Sequence, residues 1–208
     1  KDVSGVSASS VEMNSGLQFY DGMTSTEIQS ILIKSAADLI SLDSPNYQYV
    51  AARLLLFQIR KSVFNTKWKD SKIYPPLKDI VTRNINYDVY DDSLITYYSD
   101  EEWDKIDSYM KHDRDMLFTY AGLRQVVDKY LVQDRSSGKI FESPQYMYML
   151  IAAVLFKNYP KDKRLSYVKR YYEAVSTFKI NIPTPIMAGI RTPLRQFASC
   201  VLVDSDDS

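Results

Sequence analysis

The chain carries a single cysteine, Cys200, and a single histidine, His112, which limits the chemistry that its side chains can perform. Cys200 follows Ser199 in a stretch where side chains of the two predicted faces alternate. One thiol cannot form an intrachain disulfide, so redox chemistry at Cys200 requires a partner thiol elsewhere. The alternative is that this residue is a small, buried apolar side chain.

His112 lies in the tetrapeptide His112-Asp113-Arg114-Asp115. A metal site needs several ligands at set spacings, and a serine nucleophile of the hydrolase type needs a Gly-x-Ser-x-Gly turn; the sequence contains neither pattern. The six glycines are scattered and form no phosphate-binding loop or dinucleotide fingerprint. We therefore interpret the tetrapeptide as a salt-bridged structural junction.

The composition is that of an ordinary globular protein, with 45% apolar and 25% charged residues in a chain of 208. Basic and acidic residues both number 26, so no excess of positive charge is present to bind nucleic acid through its phosphates. No apolar run approaches the ~18 residues of a membrane helix. With one cysteine and no signal peptide, we expect a reducing, cytoplasmic setting.

The N-terminal part predicts a helical hairpin. Thr24 and Glu27 have the spacing of a capping box, in which each side chain bonds the other residue's backbone amide, and apolar residues follow at helical spacing. A second helix is predicted to start with Ser44 as its cap and Pro45 in its first turn, and to end near Phe64. Its predicted inward residues are Val50, Leu54, Phe57 and Ile59.

A polar, lysine-rich connector at residues 65–76 ends in two prolines and predicts a boundary. The segments that follow are predicted as short helices, a β-hairpin and two longer helices. They are helices 77–83, 100–111 and 117–129, strands 130–132 and 139–141, an apolar, buried helix from Ser143-Pro144, and an amphipathic helix over 160–178.

The C-terminal part changes character. Residues 180–185 are predicted to be extended, because Pro183 and Pro185 disfavour helix, and Gly189 marks a turn. Residues 196–203 then alternate as a strand. A lone strand is not stable as a sheet, so its partners must lie in another chain or in a part of the protein outside this sequence.

Several segments, taken in order, closely resemble one family. They are Leu17-Gln18-Phe19-Tyr20-Asp21-Gly22, Tyr47-Gln48-Tyr49, Ala51-Ala52-Arg53-Leu54, His112-Asp113-Arg114-Asp115-Met116, Lys129-Tyr130-Leu131-Val132-Gln133, Val175-Ser176-Thr177-Phe178-Lys179, Pro183-Thr184-Pro185-Ile186-Met187, Arg191-Thr192-Pro193 and Gln196-Phe197-Ala198-Ser199-Cys200-Val201-Leu202. The resemblance is to the N-terminal part of the large (α) subunit of class I ribonucleotide reductase, of the bacterial and phage type, and covers the chain from about Val11 onward.

The resemblance implies a mainly α N-terminal region, with a small β-hairpin, that leads into the first strand of a ten-stranded α/β barrel. It divides the chain into a truncated ATP-cone-like helical region at residues 1–65, a helical domain at residues 66–192 and the first barrel strand at residues 193–208. The segment that resembles the later half of an ATP-cone lacks the basic strand that precedes it in the family.

The implied reaction is reduction of ribonucleoside diphosphates to deoxyribonucleotides by radical chemistry with a redox cysteine pair. Cys200 matches one member of that pair, and Thr184 and Ser199 match residues that hold the substrate. The radical cysteine, the second reducing cysteine and the catalytic carboxylate have no counterpart in this sequence. The resemblance therefore implies that the chain needs a companion part of the subunit for catalysis.

The resemblance also implies two effector sites and a set of partners. Asp207 and Ser208 match the start of the allosteric specificity site, and Ser25 and Lys61 match ATP-contacting positions. The chain itself is expected to hold no cofactor or metal, while ATP and deoxynucleotides act as effectors. The expected partners are the C-terminal part of the large subunit, a β subunit with a di-metal centre and tyrosyl radical, and thioredoxin or glutaredoxin as reductant, with no nucleic acid and no membrane.

Two other readings stay open at this point. In one, the chain is a non-catalytic nucleotide-binding or assembly module of the same complex and Cys200 is inert. In the other, it is a helical scaffold whose matches are ancestral.

Overall fold

The computed structural model describes residues 3–65, 73–194, 196–200 and 202. Helices dominate this part of the chain, in agreement with the mainly α class predicted. They are α1 (Ala8–Gly16), α2 (Ser25–Asp38), α3 (Tyr47–Phe64), α4 (Leu77–Asn86), α5 (Asp100–Ser108), α6 (Tyr120–Lys129), α7 (Pro144–Phe156), α8 (Lys161–Ser176) and α9 (Thr184–Gly189), with 3₁₀ turns at Asp92–Thr96 and His112–Leu117.

One small antiparallel hairpin interrupts the helices. Its strands are β1 (Gln133–Asp134) and β2 (Lys139–Ile140), with Gln133 opposite Ile140. The hairpin is confirmed, although the first strand begins at Gln133 rather than at residue 130. The Tyr130 and Leu131 amides both donate to the Val126 carbonyl, which completes the end of α6 instead of a sheet ladder.

The chain forms two compact units, each made from two separate stretches. The first unit combines Lys1–Pro75 with Lys111–Pro144, and the second combines Pro76–Met110 with Gln145–Ser208. The predicted division into residues 1–65, 66–192 and 193–208 stays a prediction.

In the first unit, α3 is the central element, because it packs against α2, α6 and β2. Its buried apolar residues are Tyr47, Ala51, Ala52, Leu55, Leu56, Ile59 and Val63. Of the predicted inward residues, only Ile59 is fully buried; Val50, Leu54 and Phe57 are half-buried. Val50 and Leu54 nevertheless pack against the buried core of the first unit, so the prediction that they face inward is confirmed.

The starts of the first helices differ in how well local sequence predicts them. At α2, Thr24 Oγ1 accepts from the Glu27 amide at 3.2 Å and Glu27 Oε2 accepts from the Thr24 amide at 2.8 Å, so the capping box is confirmed. At α3, the prediction was wrong: the helix starts at Tyr47 after Asn46, and Ser44 and Pro45 lie in the preceding turn. Helix α1 was not predicted, because it buries only two of its residues.

In the second unit, α7 is buried as predicted, and α5 packs against α8. Arg164 of α8 donates from Nε to Glu102 Oε1 of α5 at 2.7 Å, and its guanidinium lies 4.5 Å from the ring centre of Tyr98. Glu102 also completes the capping box of α5 with Ser99. One carboxylate therefore both caps α5 and ties it to α8.

Several helices begin or end at residues other than those predicted, because caps and turns determine where they start and stop. Helix α5 ends at Ser108 rather than residue 111, and α4 continues to Asn86 rather than residue 83. Helix α6 starts at Tyr120 rather than residue 117, since Thr119 Oγ1 accepts from the Gly122 amide and caps the helix there. Helix α8 spans Lys161–Ser176, close to its predicted range.

The segment after α8 contains the largest difference. Residues 180–185 were predicted to be extended, but α9 starts at Thr184. Pro185 lies in the first turn of α9, where the missing amide costs nothing and the fixed φ suits a helix. Residues 196–200 and 202 form no strand, and Val201 and Val203 lie outside the described residues.

Within the described ranges, none of the helices is both long enough and apolar enough to cross a membrane.

Candidate functional site

The Ser25–Lys61 pair lies where α2 begins and α3 ends. Ser25 and Thr26 occupy the first turn of α2, where backbone amides have no partner within the helix. Lys61 lies in the last turn of α3. Its Nζ donates to Ser25 Oγ at 3.1 Å, so the structure brings these two predicted residues together. Both side chains are exposed.

This pair lines a cavity of about 570 Å³ in the first unit. We call it the α2–α3–α6 cavity. Its base includes the buried residues Leu55, Ile59 and Val127, and its rim is polar. The rim residues are Ser25, Thr26, Gln29, Gln58, Lys61, Ser62, Asn65, Arg124, Asp128, Gln133 and Gly138. A cavity of this size, with an apolar base and polar groups around it, has the dimensions of a small-molecule site.

Helix α6 supplies an ion pair to the rim. Arg124 Nη2 lies 2.8 Å from Asp128 Oδ1, four residues further along the helix. Both side chains are about half exposed, at 44% and 50%. An ion pair in water is weak, because solvent screens the charges and both side chains lose freedom, so either partner can be exchanged at little cost.

The β-hairpin forms another edge of the cavity through Gln133 and Gly138. Asp134 accepts from the Ser137 and Ser136 hydroxyls at 2.6 and 2.7 Å and from the Ser136 amide at 2.9 Å. These bonds, with the Ser137 hydroxyl first, lower the pKa of Asp134 to about 2. Gly138 has φ of 71°, which a residue with a side chain rarely adopts. Local bonds therefore fix this edge.

The residue before Lys61 anchors α3 to the His112–Leu117 turn. Arg60 is buried, and its Nη2 donates to the His112 carbonyl at 3.0 Å and to Asp115 Oδ2 at 3.3 Å. Asp115 is 2% exposed. The interpretation of the tetrapeptide as a salt-bridged junction is therefore confirmed, with Arg60 as the unpredicted partner.

His112 itself has a structural environment. Its ring stacks on Tyr74 with centres 3.7 Å apart, and the Arg60 guanidinium lies 5.1 Å from the Tyr74 ring centre. Burial, and then the charge of Arg60, lowers the pKa of His112 to about 4. The imidazole is therefore neutral near pH 7 and adds no charge to the first unit.

In the second unit, buried contacts hold the chain between α9 and Cys200. Arg191 is fully buried, its Nη1 donates to the Met187 carbonyl at 2.5 Å, and its own carbonyl accepts from the Asp91 amide at 3.0 Å. Thr192 Oγ1 donates to the Gly189 carbonyl at 2.9 Å and accepts from the Leu194 amide at 3.2 Å. This turn fixes the direction in which the chain leaves α9.

Beyond this turn the chain folds back over the end of α9. A Cβ at Gly189 would lie 3.6 Å from the Phe197 ring, so the two segments are in contact there. Ser199 and Cys200 then follow, both exposed, with 3.9 Å between Oγ and Sγ. The part of the chain that the structure describes therefore does not bury Cys200. Thr184 is exposed at the start of α9.

Among the predicted site residues, Asp207 and Ser208 lie outside the described residues. The described ranges contain no group of three or more metal-ligating side chains that could hold an ion. The sequence patterns did not predict Arg60, Arg124 or Arg191. Only Arg124 had a local signal, its spacing of four residues from Asp128.

Comparison with known proteins bears on the whole chain. The family model described as ribonucleotide reductase, all-alpha domain, matches residues 116–195. The chain is 52% identical over 204 residues to the ribonucleoside-diphosphate reductase 1 subunit alpha of Escherichia coli K12. It is 47% identical over 206 residues to the ribonucleoside-diphosphate reductase subunit alpha of enterobacteria phage T4.

Each of these matches covers 98% of this chain. The chain is a relative of ribonucleotide reductase α subunits. The resemblance predicted from the sequence is thereby confirmed. The chain spans about a quarter (26%) of the length of these α subunits, which sets how much of their chemistry it can contain.

Proposed function

We propose that this chain is part of the catalytic α subunit of a cytoplasmic, bacterial or phage, class I ribonucleoside-diphosphate reductase. Its proposed catalytic group is the Cys200 thiol. One observation carries the proposal: Cys200 is exposed beside Ser199, on a segment whose start is fixed by Arg191 and Thr192. A thiol that must meet a substrate and then be reduced again has to be accessible in this way.

The proposed step balances with one further thiol from the remainder of the subunit. The two thiols supply two electrons and two protons. The 2′-hydroxyl of the ribose leaves as water, hydrogen replaces it, and the two sulfurs form a disulfide. Thioredoxin or glutaredoxin then restores both thiols by disulfide exchange. Ser199 and Thr184 are proposed to hold the substrate, Thr184 near its phosphates.

The surroundings of Cys200 are proposed to be completed by the remainder of the subunit. Residues 196–203 would form the first strand of a ten-stranded α/β barrel once neighbouring strands supply backbone partners. The division into an ATP-cone-like region (1–65), a helical domain (66–192) and a barrel strand (193–208) belongs to the same proposal. A strand within a barrel would hold the sulfur more rigidly than a loop.

The radical is proposed to come from a β subunit with a di-metal centre and tyrosyl radical. Asp207 and Ser208 are proposed to begin the specificity site, where a deoxynucleotide effector binds. None of the proposed groups requires a metal or cofactor held by this chain.

A nucleotide-binding role has separate support in the α2–α3–α6 cavity. Lys61 and Ser25 are bonded to one another at its rim, and an ammonium, a hydroxyl and the first-turn amides of a helix are groups that bind phosphate. The cavity therefore favours nucleotide binding by residues 1–65. It would serve equally in a catalytic subunit and in a non-catalytic module.

Replacing Cys200 separates these two functions. We expect Cys200→Ser, in the complete reductase with its β subunit, to lower diphosphate reduction by at least about a thousandfold with thioredoxin as the reductant, because a hydroxyl cannot form a disulfide. Cys200→Ala should behave in the same way. Substrate binding by equilibrium dialysis should persist in Cys200→Ser, which controls for loss of folding. Full activity of both variants would favour the non-catalytic module.

A further inference from the structure

We propose that Arg124 and Asp128 of α6 regulate the α2–α3–α6 cavity. Arg124 is the second cationic contact for a polyphosphate group bound at Lys61, and Asp128 is an internal competitor for the same guanidinium. The inference rests on the proposed nucleotide binding at Ser25 and Lys61. It adds a partner from outside residues 1–65, so that the ligand would join α2 and α3 to α6.

The charge around the rim favours an anionic ligand. Within the described part of the chain, the Lys61 ammonium bonds a hydroxyl, that of Ser25, rather than a carboxylate. Arg124 adds a second positive charge to the same cavity, and Asp128 is the acidic residue that lines this cavity. A ligand that carries several negative charges is the chemistry that fits two cations in one cavity.

The exposure of the Arg124–Asp128 pair allows Arg124 to change its partner. Both side chains are about half exposed, so their mutual attraction is weak. A phosphate carries more charge than a carboxylate and accepts two parallel bonds from a guanidinium. Arg124 therefore gains by exchanging Asp128 for a phosphate.

The walls of the cavity are already formed. Thr119 caps α6, the Asp134 bonds fix the hairpin edge, and Leu55, Ile59 and Val127 form a buried base. Binding then requires one side chain, Arg124, to change its partner. Little conformational entropy is lost when the rest of a site is preformed.

The experiment measures binding of ATP and of inorganic tripolyphosphate by titration calorimetry, on the complete polypeptide that contains this chain. We expect Arg124→Gln to weaken binding of both ligands by about tenfold, since one charge-assisted contact is lost. We expect Asp128→Asn to strengthen binding of both by about three- to tenfold, because the competitor is removed.

Lys129→Gln is the matched control. Lys129 is an exposed cation on the same helix and does not line the cavity, so binding should be unchanged beyond a small screened effect. Lys61→Met tests the proposed nucleotide site itself and should weaken both ligands. Because Arg124, Asp128 and Lys129 are all exposed, each variant should unfold at the wild-type temperature.

The outcomes distinguish the two proposals. If Lys61→Met weakens binding while Arg124→Gln does not, the inference about α6 is overturned and the nucleotide site stands. Weaker binding by Asp128→Asn would also overturn it, because Asp128 would then be a contact rather than a competitor. If Arg124→Gln weakened ATP alone, Arg124 would not bind phosphate and the inference would fail. If the wild-type protein bound neither ligand, both proposals would fall.

Discussion

The α2–α3–α6 cavity and the Cys200 segment differ in how much of each site this chain builds. The cavity has walls from α2, α3, α6 and the hairpin, all within the first unit, and its polar rim is held by bonds between rim residues, Lys61 with Ser25 and Arg124 with Asp128. The Cys200 segment is anchored at its start by Arg191 and Thr192, and Phe197 packs close to Gly189 at the end of α9. Its described residues form no strand and are exposed.

The difference follows from the physics of the two kinds of element. A helix satisfies its own backbone hydrogen bonds, so helices that pack in one unit can form a finished cavity. A strand satisfies its backbone only through a neighbour, so the strand proposed for residues 196–203 would need partners from outside this chain. We therefore expect mutations around the cavity to act through the stability of this chain, and mutations near Cys200 to act on the assembled enzyme.

Among the mutations that test this comparison, the largest loss of stability is expected at Asp115. Asp115→Ala removes the carboxylate that pairs with the buried Arg60 guanidinium. Arg60 directly precedes Lys61, whose ammonium lines the cavity. We expect the free energy of unfolding to fall by about 3 to 5 kcal/mol, measured by urea denaturation. Asp100→Asn, which removes the exposed partner of Lys78, is the control and should leave the midpoint nearly unchanged. Equal losses in both variants would contradict the account.

The next effect is a pH dependence of stability from His112. Because the native pKa is about 4 and the ordinary value is 6.5, the unfolded chain binds the proton first as the pH falls. The contribution of His112 to the free energy of unfolding is therefore fully present above about pH 6.5. As the pH falls to 4, this free energy decreases by about 2 to 3 kcal/mol, after allowance for partial exposure. Urea denaturation of wild type and His112→Gln at each pH should show this loss in wild type only. Parallel curves would contradict it.

A smaller effect is expected on the other side of the comparison, at Arg191. Arg191→Met keeps an unbranched but shorter side chain and removes the guanidinium that donates to the Met187 carbonyl, at a cost of about 1 to 2 kcal/mol or more in unfolding free energy. Hydrogen exchange should accelerate at residues 190–194 and stay unchanged in α2 and α3. Acceleration throughout the chain would mean that the turn is not a local anchor.

The smallest effect is expected at the cap of α6. Thr119→Ala removes the acceptor of the Gly122 amide and should cost about 1 kcal/mol of unfolding free energy. Thr119→Ser keeps the acceptor and is the matched control. Thermal unfolding of both variants measures the difference, and a loss in the serine variant equal to that in the alanine variant would contradict the capping role.

Local patterns predicted the parts of the fold that local bonds determine. The capping box at Thr24–Glu27 was predicted correctly, because it is formed by residues three apart, and the box observed at Ser99–Glu102 has the same spacing. The buried helix α7 was also predicted, since a helix that is apolar on every side must be buried. Helix α1 carries no such pattern, and Pro185 was taken as a helix breaker although it lies in the first turn of α9.

The candidate sites depend on contacts between distant residues, which periodicity does not reveal. Lys61 and Ser25 are 36 positions apart, and Arg60 and Asp115 are 55 apart. The first pair was predicted only through the family resemblance. For the second, the sequence predicted a salt-bridged junction at residues 112–115 and named no partner. Arg124 lines the cavity because α6 packs against α3, and no local pattern in the sequence predicts that packing.

The most direct test of the central claim is to trap the sulfur of Cys200 after one turnover. The complete reductase, reduced beforehand and freed of external reductant, is given one equivalent of ribonucleoside diphosphate and then alkylated. We predict that Cys200 is protected from alkylation and appears by mass spectrometry in a disulfide-linked peptide, in proportion to the deoxynucleotide formed. Full alkylation of Cys200 after deoxynucleotide has formed would contradict the account.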